Sequence, residues 1–169
     1  MTGQIRAVKI IDRKKHNKIE PLLLNEFDIL KELDHPNVLK MYHIYEEFNF
    51  YYIVTELCFG KELFEVLKEV KVFEESEAAV IFIQIVSACR YLHSKKVMHR
   101  DLKPENIFYD KEKKILKLLD FGSAVWYDSN EPVRRRVVGT VNIFSSFSHT
   151  TLLLKSLIRS ITTSATSGL

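Results

Sequence analysis

His99-Arg100-Asp101-Leu102-Lys103-Pro104-Glu105-Asn106 is the most informative run in this chain, and Asp120-Phe121-Gly122 follows it at short range. Asp101 is a carboxylate able to take a hydroxyl proton, Lys103 is a cation two positions on, and Asn106 and Asp120 carry oxygen donors suited to a hard metal ion. Phosphoryl transfer asks for this equipment. It needs placed charge more than covalent help: metal between the phosphates, a carboxylate orienting the attacking hydroxyl, and a cation against the charge that develops.

Working outward, Ile107 to Tyr109 and Ile115 to Leu119 are short apolar runs around the polar stretch Asp110 to Lys114, which predicts a small hairpin. Upstream, a long helix is expected from Ser76 as N-cap to about Lys95. Its apolar face is drawn through Ala79, Phe82, Ile83, Val86, Cys89 and Leu92, with Arg90 as a polar break. Cys89 is read there as a small buried hydrophobe. Met41 to Glu47 and Phe50 to Glu56 read as strands joined at Phe48-Asn49. Glu20 to Leu33 reads as a helix, with Leu23, Phe27, Leu30 and Leu33 at helical spacing. Ile5 to Asp12 is a strand rich in β-branched residues, with Lys9 set inside Ala7-Val8-Lys9-Ile10.

With 169 residues of ordinary globular composition, the chain has room for one modest core. The net charge is +3, and the basic runs Arg13-Lys14-Lys15, Lys111-Glu112-Lys113-Lys114 and Arg134-Arg135-Arg136 are short and interleaved with acids. They read as solvated surface, so no nucleic-acid partner is expected. Cys58 and Cys89 make neither a disulfide framework nor a metal-ligand spacing, which points to a reducing, cytoplasmic setting. Polar residues follow Met1, so no signal peptide is expected, and no apolar run approaches membrane-spanning length, so no membrane partner is expected either.

The run around Asp101 resembles the catalytic loop of eukaryotic protein kinases, and Asp120-Phe121-Gly122 resembles their metal-binding triplet. The resemblance implies an α+β, protein-kinase-like two-lobe fold with ATP between the lobes. It implies Asp101 as the group that orients or accepts the substrate proton, Lys103 as the cation on the transferring phosphoryl, and Asn106 and Asp120 as Mg²⁺ ligands. His99 would be structural, packing under the loop with Phe121, and Arg100 would anchor the segment beyond. Lys9 resembles the strand lysine that holds the ATP phosphates, with Ala7 against adenine. Glu26 resembles the helix glutamate that ion-pairs that lysine. Thr55-Glu56-Leu57-Cys58 resembles the linker between lobes, where the backbone of Glu56 and Cys58 would bond adenine. Glu62 would reach a ribose hydroxyl, and Phe108 belongs to the same nucleotide-contacting set. Asp34-His35-Pro36-Asn37-Val38 is a family-like turn. Lys103, two positions after Asp101, resembles the serine/threonine rather than the tyrosine type, so the substrate implied is a protein hydroxyl.

The wording of Thr2 to Lys9, Leu33 to Asn37 and Gly139-Thr140 is similar to calcium-dependent and calmodulin-dependent kinases. The chain carries no Asp-x-Asp-x-Asp-Gly calcium loop, so any calcium-sensing region is expected on a part not present here. The fold is expected to be incomplete. Only Met1-Thr2-Gly3-Gln4 precede the first strand, the five glycines include no G-x-G-x-x-G, and no Ala-Pro-Glu follows Thr140. The expected division is a partial small lobe over 1–57, a partial large lobe with catalytic loop and activation segment over 58–140, and an unrelated tail over 141–169. Read one frame over, Ser148 onward can spell Pro-Tyr-Tyr-Ile-Ala-Pro-Glu-Val-Leu and Ser160 onward Tyr-Asn-Asp-Lys-Cys-Asp-Ile-Trp-Ser. The expectation is that a short retained intron puts everything after Thr140 out of frame. A chain so cut could act as a non-catalytic fragment that works only by binding.

Overall fold

The structure, a computed structural model, describes residues 3–16, 20–70 and 73–127. The expectations for the activation segment from residue 128 to Thr140, and for the tail, lie outside the described residues.

Strand β1 (Arg6–Asp12) runs into a short turn of helix, α1 (Arg13–His16), and then into α2 (Glu20–Glu32). Strands β2 (Met41–Glu47) and β3 (Phe50–Glu56) follow, and the three strands form an antiparallel sheet in the order β1-β3-β2. The pleat sends alternate residues to opposite faces, so β3 buries Tyr51 and Ile53 while its other face stays half open. Phe27 of α2 meets Tyr51 edge-on, with ring centroids 5.8 Å apart. With Leu30, Leu33, Ile11 and Met41 this contact closes the smaller core.

The second half begins with β4 (Lys61–Glu62), α3 (Leu63–Val70) and α4 (Glu75–Ser94). Strands β5 (Val97–Met98), β6 (Ile107–Asp110), β7 (Ile115–Leu118) and β8 (Val125–Trp126) complete it. A 3-10 turn at Pro104–Asn106 leads directly into β6. The sheets are β4-β6-β7 and the pair β5-β8. Gly60, at φ 110°, is required where the chain enters β4: a Cβ there would stand 2.3 Å from the Tyr109 carbonyl oxygen.

Two details of α4 differ from the sequence expectation. Ser76 is not its N-cap. The cap is Glu74, without a side-chain cap bond, and Glu75 and Glu77 place acid in the first turn, where the helix dipole favours it. The buried stripe is Ala78, Ile81, Phe82, Ile85, Ala88 and Leu92, whereas Ile83 is 62% exposed. The helix is apolar nearly all round, so periodicity alone leaves its phase open. Packing against β7 and β5 selects the face. Cys89 is partly buried beside that core, and burial pushes its thiol up to about 12.

A buried polar seam joins the two halves. Asn37 Nδ2 donates to Gln84 Oε1 of α4 at 2.8 Å and to the Leu116 carbonyl at 3.0 Å. Gln84 Oε1 also accepts from Leu116 N at 2.9 Å. His35 serves this turn rather than any ligand: its Nδ1 accepts from Asn37 N at 3.1 Å and its ring stacks on Tyr91 at 4.9 Å.

Candidate active site

The loop after β5 folds upon itself. Lys103 Nζ lies 2.7 Å from Asp101 Oδ2, and Asn106 Nδ2 donates at 2.9 Å both to that oxygen and to the Asp101 carbonyl. Burial pushes the Asp101 carboxyl upward, but the hydrogen bonds from Lys103 and Asn106 outweigh it and hold the group below the usual aspartate range. The bond to Asp101, reinforced by the charges of Asp101, Asp120 and Glu105, raises Lys103 in turn. Asp101 is therefore an ionised acceptor and Lys103 a firm cation. Because Asn106 uses its nitrogen on Asp101, its side-chain oxygen Oδ1 is the atom that would meet a metal.

His99 lies beneath, 3% exposed, with its ring 4.7 Å from that of Phe121. Its Nε2 donates to the Leu119 carbonyl at 3.0 Å, and its Nδ1 accepts from Asp101 N at 3.3 Å. Burial lowers its pKa, so the neutral ring keeps this tautomer. His99 thus ties the loop to Leu119, the residue before Asp120. Arg100 Nε donates to the Ser123 carbonyl at 2.6 Å. Arg100 and Asp120 both sit at positive φ, 67° and 54°. Backbone held in that region by its surroundings is characteristic of sites where side-chain aim matters more than comfort.

On the other side, Glu26 of α2 approaches Asp120 and Gly122. A Cβ at Gly122 would come within 3.2 Å of Asp120 Oδ1 and 3.7 Å of Glu26 Oε2, so glycine gives the two carboxylates room. Burial raises the Glu26 pKa; the Lys9 charge lowers it, Asp120 raises it, and the Phe121 N–H lowers it. Lys9 is exposed on β1 opposite Ile53 and, among the described residues, does not close an ion pair with Glu26. The two therefore feel each other only at longer range.

The remaining expected residues fall into two groups. Ala7 is half-buried opposite Thr55, next to Glu56 at the end of β3. Glu62 pairs with Phe108 across β4 and β6, and Phe108 pairs with Lys117 across β6 and β7. Burial, with the Glu56 charge adding to it, pushes the half-buried Cys58 thiol up to about 11. The Glu56 side chain is engaged as well: its Oε1 lies 2.7 Å from Lys117 Nζ and accepts Lys40 N at 2.8 Å. The sequence reading missed Lys117, although the signal was present, since it is the single charged residue in the strand Ile115–Leu118.

Among the described residues no group of three or more His, Cys, Asp or Glu side chains could hold a metal ion. The donor set nonetheless fits magnesium, which takes one or two protein oxygens and completes its shell with phosphate and water. Among the described residues, too, no helix is long and apolar enough to cross a membrane.

The protein kinase domain family model matches residues 1–145. The chain is similar to calcium-dependent protein kinase 5 of Plasmodium falciparum, at 47% identity over 141 residues covering 82% of this chain and 24% of that protein. It is similar to calcium-dependent protein kinase 3 of Plasmodium yoelii yoelii, at 40% identity over 137 residues, 80% of this chain and 25% of that protein. It is also similar to calcium-dependent protein kinase 4 of Plasmodium falciparum, at 39% identity over 141 residues, 80% and 27%. The chain thus spans about a quarter of the length of these curated relatives.

Proposed function

Because this chain belongs to the protein kinase family, we propose that the protein transfers the γ-phosphoryl group of ATP to a serine or threonine hydroxyl of a protein substrate. One observation carries the proposal: an ionised Asp101 carboxylate held between Lys103 and Asn106 and joined through His99 to Leu119, the residue before Asp120. Asp101 orients the substrate hydroxyl and accepts its proton. Lys103 lies beside it to offset charge on the moving phosphoryl. Asn106 and Asp120 would hold magnesium, and Lys9, Ala7, Glu56, Cys58, Glu62 and Phe108 would hold the nucleotide. When bound, ATP supplies the transferable group and magnesium the charge between its phosphates.

Residues 1–57 belong in this proposal to the small lobe and 58–140 to the large one, with 141–169 out of frame. Cytoplasmic placement accords with two free cysteines. Calcium control, which the relatives' names carry, would be exerted from residues outside this chain, which has no calcium loop of its own.

A second reading, a fragment that binds without catalysing, is favoured by the exposed Lys9, which among the described residues does not close on Glu26. A phosphotransfer assay on a generic basic protein separates the two. Mg-ATP-dependent labelling that Asp120→Ala abolishes supports the kinase, whereas nucleotide binding without labelling supports the fragment.

A further inference from the structure

Lys117 stands three positions ahead of Asp120, and its Nζ reaches Glu56 Oε1 at 2.7 Å across 61 residues of sequence. Both side chains are largely withdrawn from solvent, Lys117 at 18% and Glu56 at 20% exposure. The same carboxylate oxygen takes Lys40 N at 2.8 Å, while Glu56 N donates to the Lys40 carbonyl at 2.9 Å. The Lys40 segment is itself laid along β7: Leu118 N donates to the Asn37 carbonyl at 2.8 Å and Leu39 N to the Leu118 carbonyl at 3.0 Å. Three stretches of chain, far apart in sequence, thus meet at one carboxylate.

A fully solvated pair would contribute little. Here solvent is partly excluded and the carboxylate is already committed to a backbone amide, so removing one partner leaves the other charge poorly solvated. The two ends joined are specific: one is the linker assigned to adenine, the other the strand that runs into Asp120, whose backbone is held at φ 54°. We propose that Glu56 and Lys117 form a positioning clasp that fixes the linker relative to Asp120, so that a nucleotide seated at one end presents its phosphates to the metal at the other. This rests on the nucleotide assignment above. Neither side chain touches the reacting atoms; both act through the segments they join.

The test uses the 169-residue chain with Glu56→Gln, Lys117→Gln and the two combined. Glutamine at 56 keeps an acceptor for Lys40 N and removes only the charge. Mg-ATP affinity is measured by calorimetric titration. Amide hydrogen exchange over 118–122 is followed without nucleotide. Each single change should weaken Mg-ATP binding about threefold to tenfold and speed exchange over 118–122 about tenfold. The double variant should be no worse than either single, because its second change removes a partner already lost. A shift in melting temperature alone, with affinity and exchange unchanged, would reduce the pair to ordinary stabilisation and overturn the clasp, as would additive effects. Should the unsubstituted chain bind no Mg-ATP, the nucleotide assignment fails for this chain. Exchange then decides the clasp alone, and unchanged rates would sink it.

Discussion

Around Asp101 the partners come from close by in sequence: Lys103 and Asn106 both reach its carboxylate within 3 Å. Around Lys9 and Glu26 they must come from a strand, a helix and the turn at Phe121, and there the lysine and the glutamate stay apart. The loop cluster is closed by the geometry of a few consecutive residues, so it forms wherever the loop forms. The strand–helix pair depends on how α2 seats against the sheet, a relation set by long-range packing. The Asp101 cluster is therefore closed while the Lys9 side stays open.

The largest effect should come from breaking the closed cluster chemically. Asp101→Asn keeps the shape and removes the acceptor. In the phosphotransfer assay kcat should fall about 10²- to 10⁴-fold. A variant retaining more than a tenth of the rate would remove Asp101 from its proposed role.

Next in size is the structural arm of the same cluster. Asn106 is buried and donates twice to Asp101. Asn106→Ala should cost about 1–3 kcal/mol in urea unfolding, because two acceptors lose their donor at once. An unchanged unfolding midpoint would mean that the cluster is held by Lys103 alone.

The two sides should also differ in sign with pH. Asp101 is lowered in the folded state, so it contributes stability above the ordinary aspartate range, lost as pH falls through its folded value. Glu26 is raised, so it contributes stability only below the ordinary glutamate range, lost as pH rises through its folded value. Melting curves against pH should then diverge. Glu26→Gln should gain on the parent as pH rises past the usual glutamate range, whereas Asp101→Asn should match the parent in strong acid and fall behind toward neutrality. Parallel curves for both would show that neither carboxyl is perturbed.

The smallest effect expected on stability belongs to Lys9. Exposed and without a closed ion pair, Lys9→Met should leave the melting temperature of the free chain unchanged while weakening Mg-ATP binding. A clear drop in melting temperature would show that the Lys9–Glu26 pair closes in solution, and the contrast between the two sides would shrink accordingly.

Much of this was legible in the chain itself. The alternation in Phe50 to Glu56, the turn at Phe48-Asn49 and the polar break between Ile107 and Ile115 place their strands closely, because each signal is local. The spacing within His99 to Asn106 likewise suffices to bring Asp101, Lys103 and Asn106 together, since a 3-10 turn folds the short segment back. The phase of α4 was not legible: with apolar residues on most of its circumference, Ile83 and Ile81 are equivalent in composition, and only the neighbouring hairpin separates the 62% exposed side chain from the fully buried one.

The sequence by itself determined the chemistry available around Asp101 and the identity of the strands and helices, since backbone periodicity and close spacing act over a few residues. Tertiary structure alone decided that Glu56 meets Lys117, that Lys9 stands off from Glu26, and that burial raises the Glu26 carboxyl. Those outcomes depend on which distant charges and how much solvent surround each group, and no local pattern encodes them.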